Sequence, residues 1–302
     1  MKKPLAGALL AAALLGASAA PAVAAPGPAA PAAVDLAGTV ALSNCSGSVV
    51  RAPSASADDP ALVLSNGHCL ETGFPAPGEV LVDQPSSRSF TLLDGAGNGV
   101  GTLRAAKLAY GTMTDTDVSL YQLGESYAEI ESAYGIEALE LDAARPSEGA
   151  AITVASGYWK RTYNCSVDGF AHQLKEGSWT WKDSVRYTDA CDTIGGTSGS
   201  PVIDDATGKV VAVNNTGNES GGRCTDNNPC EVDENGEVTV REGINYGQQT
   251  YTLVPCIGPG SEIDLGREGC AVNNPCEVDE NGEVTVREGI NYGQQTYTLV
   301  PC

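Results

Sequence analysis

The chain has 302 residues, of which 42% are hydrophobic, enough to build a core and too many for a disordered polymer. Its 17 basic and 38 acidic side chains give a formal charge of -21, which repels both a nucleic-acid backbone and an anionic membrane surface and excludes them as partners. Thirty-six glycines and 17 prolines with only 18% charged residues favour an all-β chain of short strands and turns over helices with charged outer faces.

Lys2 and Lys3 precede an apolar run over 5–20, and Ala22-Val23-Ala24 offers the small residues of a cleavage site. This predicts a secretory signal peptide over 1–24, then a Pro/Ala-rich linker or short propeptide over 25–36. The product is expected to be extracellular and free of the membrane after cleavage. Strand-length apolar runs bounded by turn residues follow at 39–42, 48–51, 61–64, 80–82, 90–93, 103–108, 118–123, 151–155, 202–203 and 209–213. Residues 126–136 read as a helix or an irregular connector. That stretch divides the chain into 37–130 and 131–272.

The last third holds an internal repeat: 227–256 recurs over 273–302 without a single difference. Two copies do not make a solenoid, which needs about three units and a cap. Within a copy, Asn235-Gly236 between strand-like flanks predicts a tight hairpin over 231–240. The competing arrangement is a calcium loop, since Glu231, Asp233, Asn235, Gly236 and Glu242 fall at EF-hand spacing. Its atypical first ligand and the lack of flanking helices favour the hairpin. From residue 219 onward there are 15 acidic and four basic side chains, which read as a solvated acidic face or a salt-sensitive docking surface.

Export makes the ten cysteines a disulfide framework. There is no Cys-x-x-Cys pair and only two histidines, His68 and His172, so no metal site is expected.

Three separated segments carry the chemistry: Ser65-Asn66-Gly67-His68-Cys69, Asp117-Val118-Ser119-Leu120, and Gly195-Gly196-Thr197-Ser198-Gly199-Ser200-Pro201-Val202. A serine hydroxyl is a poor nucleophile near neutral pH, so a neutral imidazole must take its proton. His68 suits that role. A carboxylate on the other ring nitrogen fixes the tautomer and stabilises the imidazolium, and Asp117 suits it better than Asp115 because a strand follows directly. The glycines at the nucleophile let a tight turn aim the amides of Gly196 and Ser198 at a developing oxyanion. Singly, each segment has an ordinary explanation as a buried histidine, a strand cap or a Gly/Ser turn. Jointly, and in the order His, Asp, Ser, they point to a catalytic triad. An α/β-hydrolase is excluded because its acid and base follow the nucleophile.

Over roughly 36–220 the chain resembles the trypsin-like, chymotrypsin-fold serine peptidases. The resemblance implies two antiparallel six-stranded β-barrels, over 37–130 and 131–272, with the catalytic cleft between them. It also implies peptide-bond hydrolysis through an acyl-enzyme on Ser198, a protein or peptide substrate, no metal or organic cofactor, and a monomer. A non-catalytic binding protein on the same fold and an exported esterase are the alternatives. Thr197 stands where digestive relatives carry an aspartate that pairs with a newly cut N-terminus, so that zymogen switch is expected to be absent. The nucleophile motif is nearest the glutamyl-endopeptidase branch, yet Asn214 stands where that branch's carboxylate-reading histidine is expected; His172 is read as a loop residue. Asp192, six residues before Ser198, is the candidate for pairing with a basic substrate side chain or for a structural role beside Cys191. The resemblance implies the pairs Cys45–Cys69 and Cys165–Cys191. Proximity suggests Cys224–Cys230 and Cys256–Cys270, leaving Cys276 and Cys302.

Overall fold

A computed structural model of the protein describes residues 33–273 together with 276–278, 284–286 and 291. The predicted signal over 1–24, most of the segment 25–36, most of the second repeat copy and the Cys276–Cys302 pair lie outside the described residues. Contacts divide the chain into Met1–Ala30 and Pro31–Cys302, and every described strand and helix belongs to the second unit.

The first half forms β1 (Thr39–Ala41), β2 (Ser46–Arg51), β3 (Pro60–Ser65), β4 (Val80–Pro85), β5 (Ser89–Leu93), β6 (Gly99–Thr112) and β7 (Val118–Ser126), then helix α1 (Tyr127–Tyr134) and the short β8 (Leu139–Glu140). The strands pair in the order β1-β5-β6-β7-β3-β2, and β2 pairs back to β1, so six antiparallel strands close a barrel. The second half forms β9 (Ala151–Ser156), β10 (Arg161–Glu176), β11 (Trp179–Tyr187), β12 (Pro201–Asp204), β13 (Val210–Gly217), β14 (Cys230–Val232), β15 (Val238–Val240) and β16 (Asn245–Gln249). Here the order β10-β11-β16-β13-β12-β9 closes through the β9–β10 pairing, and the β14–β15 hairpin hangs on β10. The protein is all-β with the chymotrypsin-like architecture.

Burial explains why some strands were legible. On β3, Ala61 and Val63 point into the first barrel with Phe90, Leu103 and Tyr121. Its alternate residues Leu62 and Leu64 pack outward with Tyr110 and Leu120, and with Val210 and Val213 of the second barrel. Both faces are covered, so the strand reads as an unbroken apolar run.

The strands β10, β11 and β16 were absent from the sequence-based expectation. On β10 the buried residues Val167, Ala171 and Leu174 are interleaved with solvated polar ones, and a bulge between Val167 and Gly169 breaks the period. The β16 run Asn-Tyr-Gly-Gln-Gln is buried throughout although mostly polar. Its amides are bonded: Asn245 Nδ2 donates to the Cys191 carbonyl at 2.7 Å and Gln248 Nε2 to Ser184 Oγ at 3.0 Å. The first repeat copy thus supplies a barrel-closing strand, and the second barrel extends beyond the 36–220 span of the resemblance.

Residues 126–136 resolve into α1, which has a capping box: Glu129 N donates to Ser126 Oγ at 3.3 Å, and Ser126 N to Glu129 Oε2 at 2.8 Å. Gly135 ends it in the left-handed conformation, φ 67°. The 231–240 segment is the expected hairpin, with Asp233 Oδ1 accepting the amides of Asn235 and Glu237. Glu231 is bonded to Arg186, Arg241 and the Tyr246 hydroxyl, partners at odds with a calcium-loop ligand. Cys45–Cys69, Cys165–Cys191, Cys224–Cys230 and Cys256–Cys270 are all bridged. Four disulfides suit an oxidising environment. Among the described residues no helix is long and apolar enough to cross a membrane.

Candidate active site

A cleft of about 440 Å³ runs between the barrels. The first barrel contributes His68, Phe74, Met113 and Asp117; the second contributes Glu176, Trp179, Trp181, residues 193–195, Thr197, Ser198 and residues 214–217. Hydrogen bonds stitch the barrels beside it, including Trp181 Nε1 to the Met113 carbonyl at 3.0 Å, Trp179 Nε1 to the Pro75 carbonyl at 2.9 Å, and Ser46 N to the Ser198 carbonyl at 2.8 Å.

His68 sits on a 3-10 turn, Gly67–Cys69, directly after β3. A side chain at Gly67 would collide with the Thr112 carbonyl, so the turn presses against β6 only because the residue is glycine. Asp117 immediately precedes β7 and is fully buried. Its Oδ2 lies 2.8 Å from His68 Nδ1, and its Oδ1 accepts the His68 amide at 3.0 Å. An ionised carboxylate only accepts, so Nδ1 carries the hydrogen and Nε2 presents its lone pair. Burial pulls the His68 imidazole toward the neutral form. The charge of Asp117, its hydrogen bond and the charge of Glu176 outweigh that and hold the pKa above its ordinary value. Asp115, the competing carboxylate, is engaged elsewhere, 3.2 Å from Lys182 Nζ.

Ser198 lies in the same cleft, on the loop between β11 and β12. Its Oγ donates to the Asn215 carbonyl at 3.2 Å. Gly196 and Gly199 on either side have φ of 89° and 82°, and a side chain at Gly199 would collide with the Ser46 carbonyl. Among the described residues neither the Gly196 nor the Ser198 amide N–H has an intramolecular acceptor. The Thr197 carbonyl accepts Ser200 N at 3.0 Å; the peptide is planar and trans, so the Ser198 N–H points the opposite way.

The specificity candidates separate. Asn214 lines the cleft, with its Nδ2 donating to Thr197 Oγ1 at 3.3 Å and its Oδ1 buried without a partner among the described residues. Asp192 is exposed and outside the lining, its charge acting on Tyr163 instead. His172, read from the sequence as a loop residue, lies instead within β10, half-exposed, 3.6 Å from Glu234 and away from the cleft.

Three cleft residues had no signal in the sequence. Glu176 ends β10, where its carboxylate accepts Thr216 Oγ1 at 2.7 Å and Asn227 N at 2.7 Å. Burial pushes its pKa up against those bonds and the His68 charge. Phe74 and Trp179 stand edge to face at 5.9 Å, and Phe74 meets the His68 ring at the same distance. They converge only because β10, β11 and the 70–79 loop meet across the barrel seam.

A family model described as a trypsin-like peptidase domain matches residues 45–213. Among solved structures, the inactive form of the Rv3671c protease is 13% identical with a TM-score of 0.43, covering 71% of this chain and 84% of that one. That protein is from M. tuberculosis. The MamO protease domain from Magnetospirillum magneticum is also 13% identical, TM-score 0.44, covering 72% and 95%. A Glu endopeptidase in complex with MPD is 16% identical, TM-score 0.41, covering 71% and 85%. No curated protein matches the chain.

Proposed function

The chain belongs to the trypsin-like peptidase family, and on that premise we propose that it is a secreted serine endopeptidase with His68, Asp117 and Ser198 as its triad. The observation that carries this reading is the 2.8 Å His68–Asp117 bond in a buried corner of a cleft that Ser198 also lines.

In this reading His68 Nε2 takes the Ser198 Oγ proton as that oxygen attacks the substrate carbonyl carbon. The Ser198 hydroxyl turns from the Asn215 carbonyl to His68 as substrate enters, since such bonds tighten in the substrate complex. The amides of Gly196 and Ser198 hold the resulting oxyanion, an arrangement in which one donor is worth about 3–4 kcal/mol. His68 then protonates the leaving amine, the C–N bond breaks, and water attacks the acyl-enzyme with His68 again as base. The cleft is lined by the uncharged polar residues Thr193, Asn214, Thr216 and Asn245 and by the acidic Glu176, Glu219 and Asp226, a lining that disfavours an anionic substrate side chain. Secretion is supported by the predicted signal and the four disulfides.

A peptide-library digest comparing the intact protein with Ser198→Ala tests the reading. Cleavage that disappears in the variant is expected, together with labelling of Ser198 by a phosphonylating reagent. A protein that neither cleaves nor is labelled is instead a binding module on the same fold.

A further inference from the structure

The oxyanion loop contains a peptide plane that its own sequence leaves free to flip. The bond between Gly195 and Gly196 has no Cβ on either side, so no side chain of its own opposes rotation of the plane. In one orientation the Gly196 N–H faces the cleft; in the other the Gly195 carbonyl does and would repel an oxyanion. The turn between β9 and β10 decides between them. Trp159 Nε1 donates to the Gly195 carbonyl at 2.8 Å. Trp159 is not among the cleft-lining residues, whereas Gly195 is. A carbonyl held toward the indole directs the trans N–H of Gly196 away from it, and among the described residues that N–H has no acceptor.

The next peptide is held by Ser46 at the start of β2, which the same turn engages in its own right. Ser46 Oγ donates to the Gly196 carbonyl at 3.1 Å, accepts Tyr158 N at 3.0 Å and lies 3.0 Å from Ser156 Oγ, which accepts Trp159 N at 3.3 Å. Tyr158 and Trp159 also close the space over Gly196, since a Cβ there would lie 2.9 Å from the tyrosine ring and 3.0 Å from Nε1.

We propose that Trp159 is a positioning residue for catalysis: its indole N–H latches the Gly195 carbonyl and so fixes the Gly196 N–H as an oxyanion donor. The inference rests on the peptidase reading above. It assigns a function to a half-exposed tryptophan that does not itself line the cleft.

The test is Trp159→Phe, which removes the N–H and keeps the aromatic bulk. Loss of an oxyanion donor costs about 10²–10³ in kcat, so an unlatched, part-time donor is expected to lower kcat at least ~10-fold. KM is expected to stay within about twofold, since the effect is confined to the transition state. The acidic midpoint of the pH profile should not move, because His68 and Asp117 are untouched. Affinity for a peptide boronate, whose tetrahedral adduct uses the same donor, should fall in parallel with kcat. A folded variant with wild-type kcat, or one whose KM and pH midpoint shift along with kcat, overturns the proposal. Should the variant fail to fold, NMR of the wild type decides: a coupling across the hydrogen bond from the Trp159 indole ¹⁵N to the Gly195 ¹³C carbonyl is expected, and its absence overturns the latch. Turnover and Ser198 labelling of the wild type report separately on the peptidase reading.

Discussion

At the scale of single residues, His68 links activity and stability with opposite signs. Its pKa is raised in the folded state, so folding favours the protonated ring. That stabilisation is fully present below the unfolded value of 6.5 and is lost as pH rises through the higher folded value. Activity needs the neutral ring and appears over the same window. Thermal unfolding and kcat/KM measured across it should therefore move in opposite directions. Glu176 contributes to the shift through its charge, so Glu176→Gln should move the acidic limb of kcat/KM to lower pH; a limb that stays in place would show that Asp117 acts alone. Asp192 is the contrasting case. The family resemblance makes it a candidate for pairing with basic side chains, but it is exposed beyond the cleft lining. Asp192→Ala should leave the kcat/KM ratio between basic and uncharged substrates unchanged within about twofold, the small effect expected of a solvated charge.

Among the elements, α1 shows how a short sequence signal becomes a defined structure. Ser126 and Glu129 stand three apart, the capping-box spacing, and Gly135 supplies the left-handed stop. Ser126→Ala should lower unfolding free energy by about 1 kcal/mol, read from the urea midpoint, without changing kcat. The helix lies outside the cleft, which separates these two readouts. Strand β16 carries the opposite lesson. Nothing in Asn-Tyr-Gly-Gln-Gln marks it as buried, because what makes burial tolerable is the set of partners at Cys191 and Ser184, more than fifty residues away.

For the whole molecule, the charge of -21 meets a cleft lined by Glu176, Glu219 and Asp226. A field of this sign gathers cationic chains and is screened over about 10 Å at 0.1 M salt. Peptides with Lys or Arg placed away from the scissile bond should lose kcat/KM as salt rises from about 0.01 to 0.15 M, while neutral peptides should not. Equal salt dependence for both would assign the acidic residues to solubility alone.

The local sequence determined the all-β class, the disulfide-rich character and the three segments that hold His68, Asp117 and Ser198, because apolar runs, turn residues and the His-Asp-Ser order are properties of short stretches. It also carried the 231–240 hairpin, while the pairs Cys45–Cys69 and Cys165–Cys191 came from the family resemblance and Cys224–Cys230 and Cys256–Cys270 from proximity along the chain. Only the tertiary structure decided that a polar strand from the repeat closes the second barrel and that Glu176, Phe74 and Trp179 meet His68 in one cleft. It likewise decided that Asp192 stays outside and that Trp159 reaches the Gly195 carbonyl. These depend on pairings and burial between distant parts of the chain, where a polar residue's position is set by partners that no local pattern encodes.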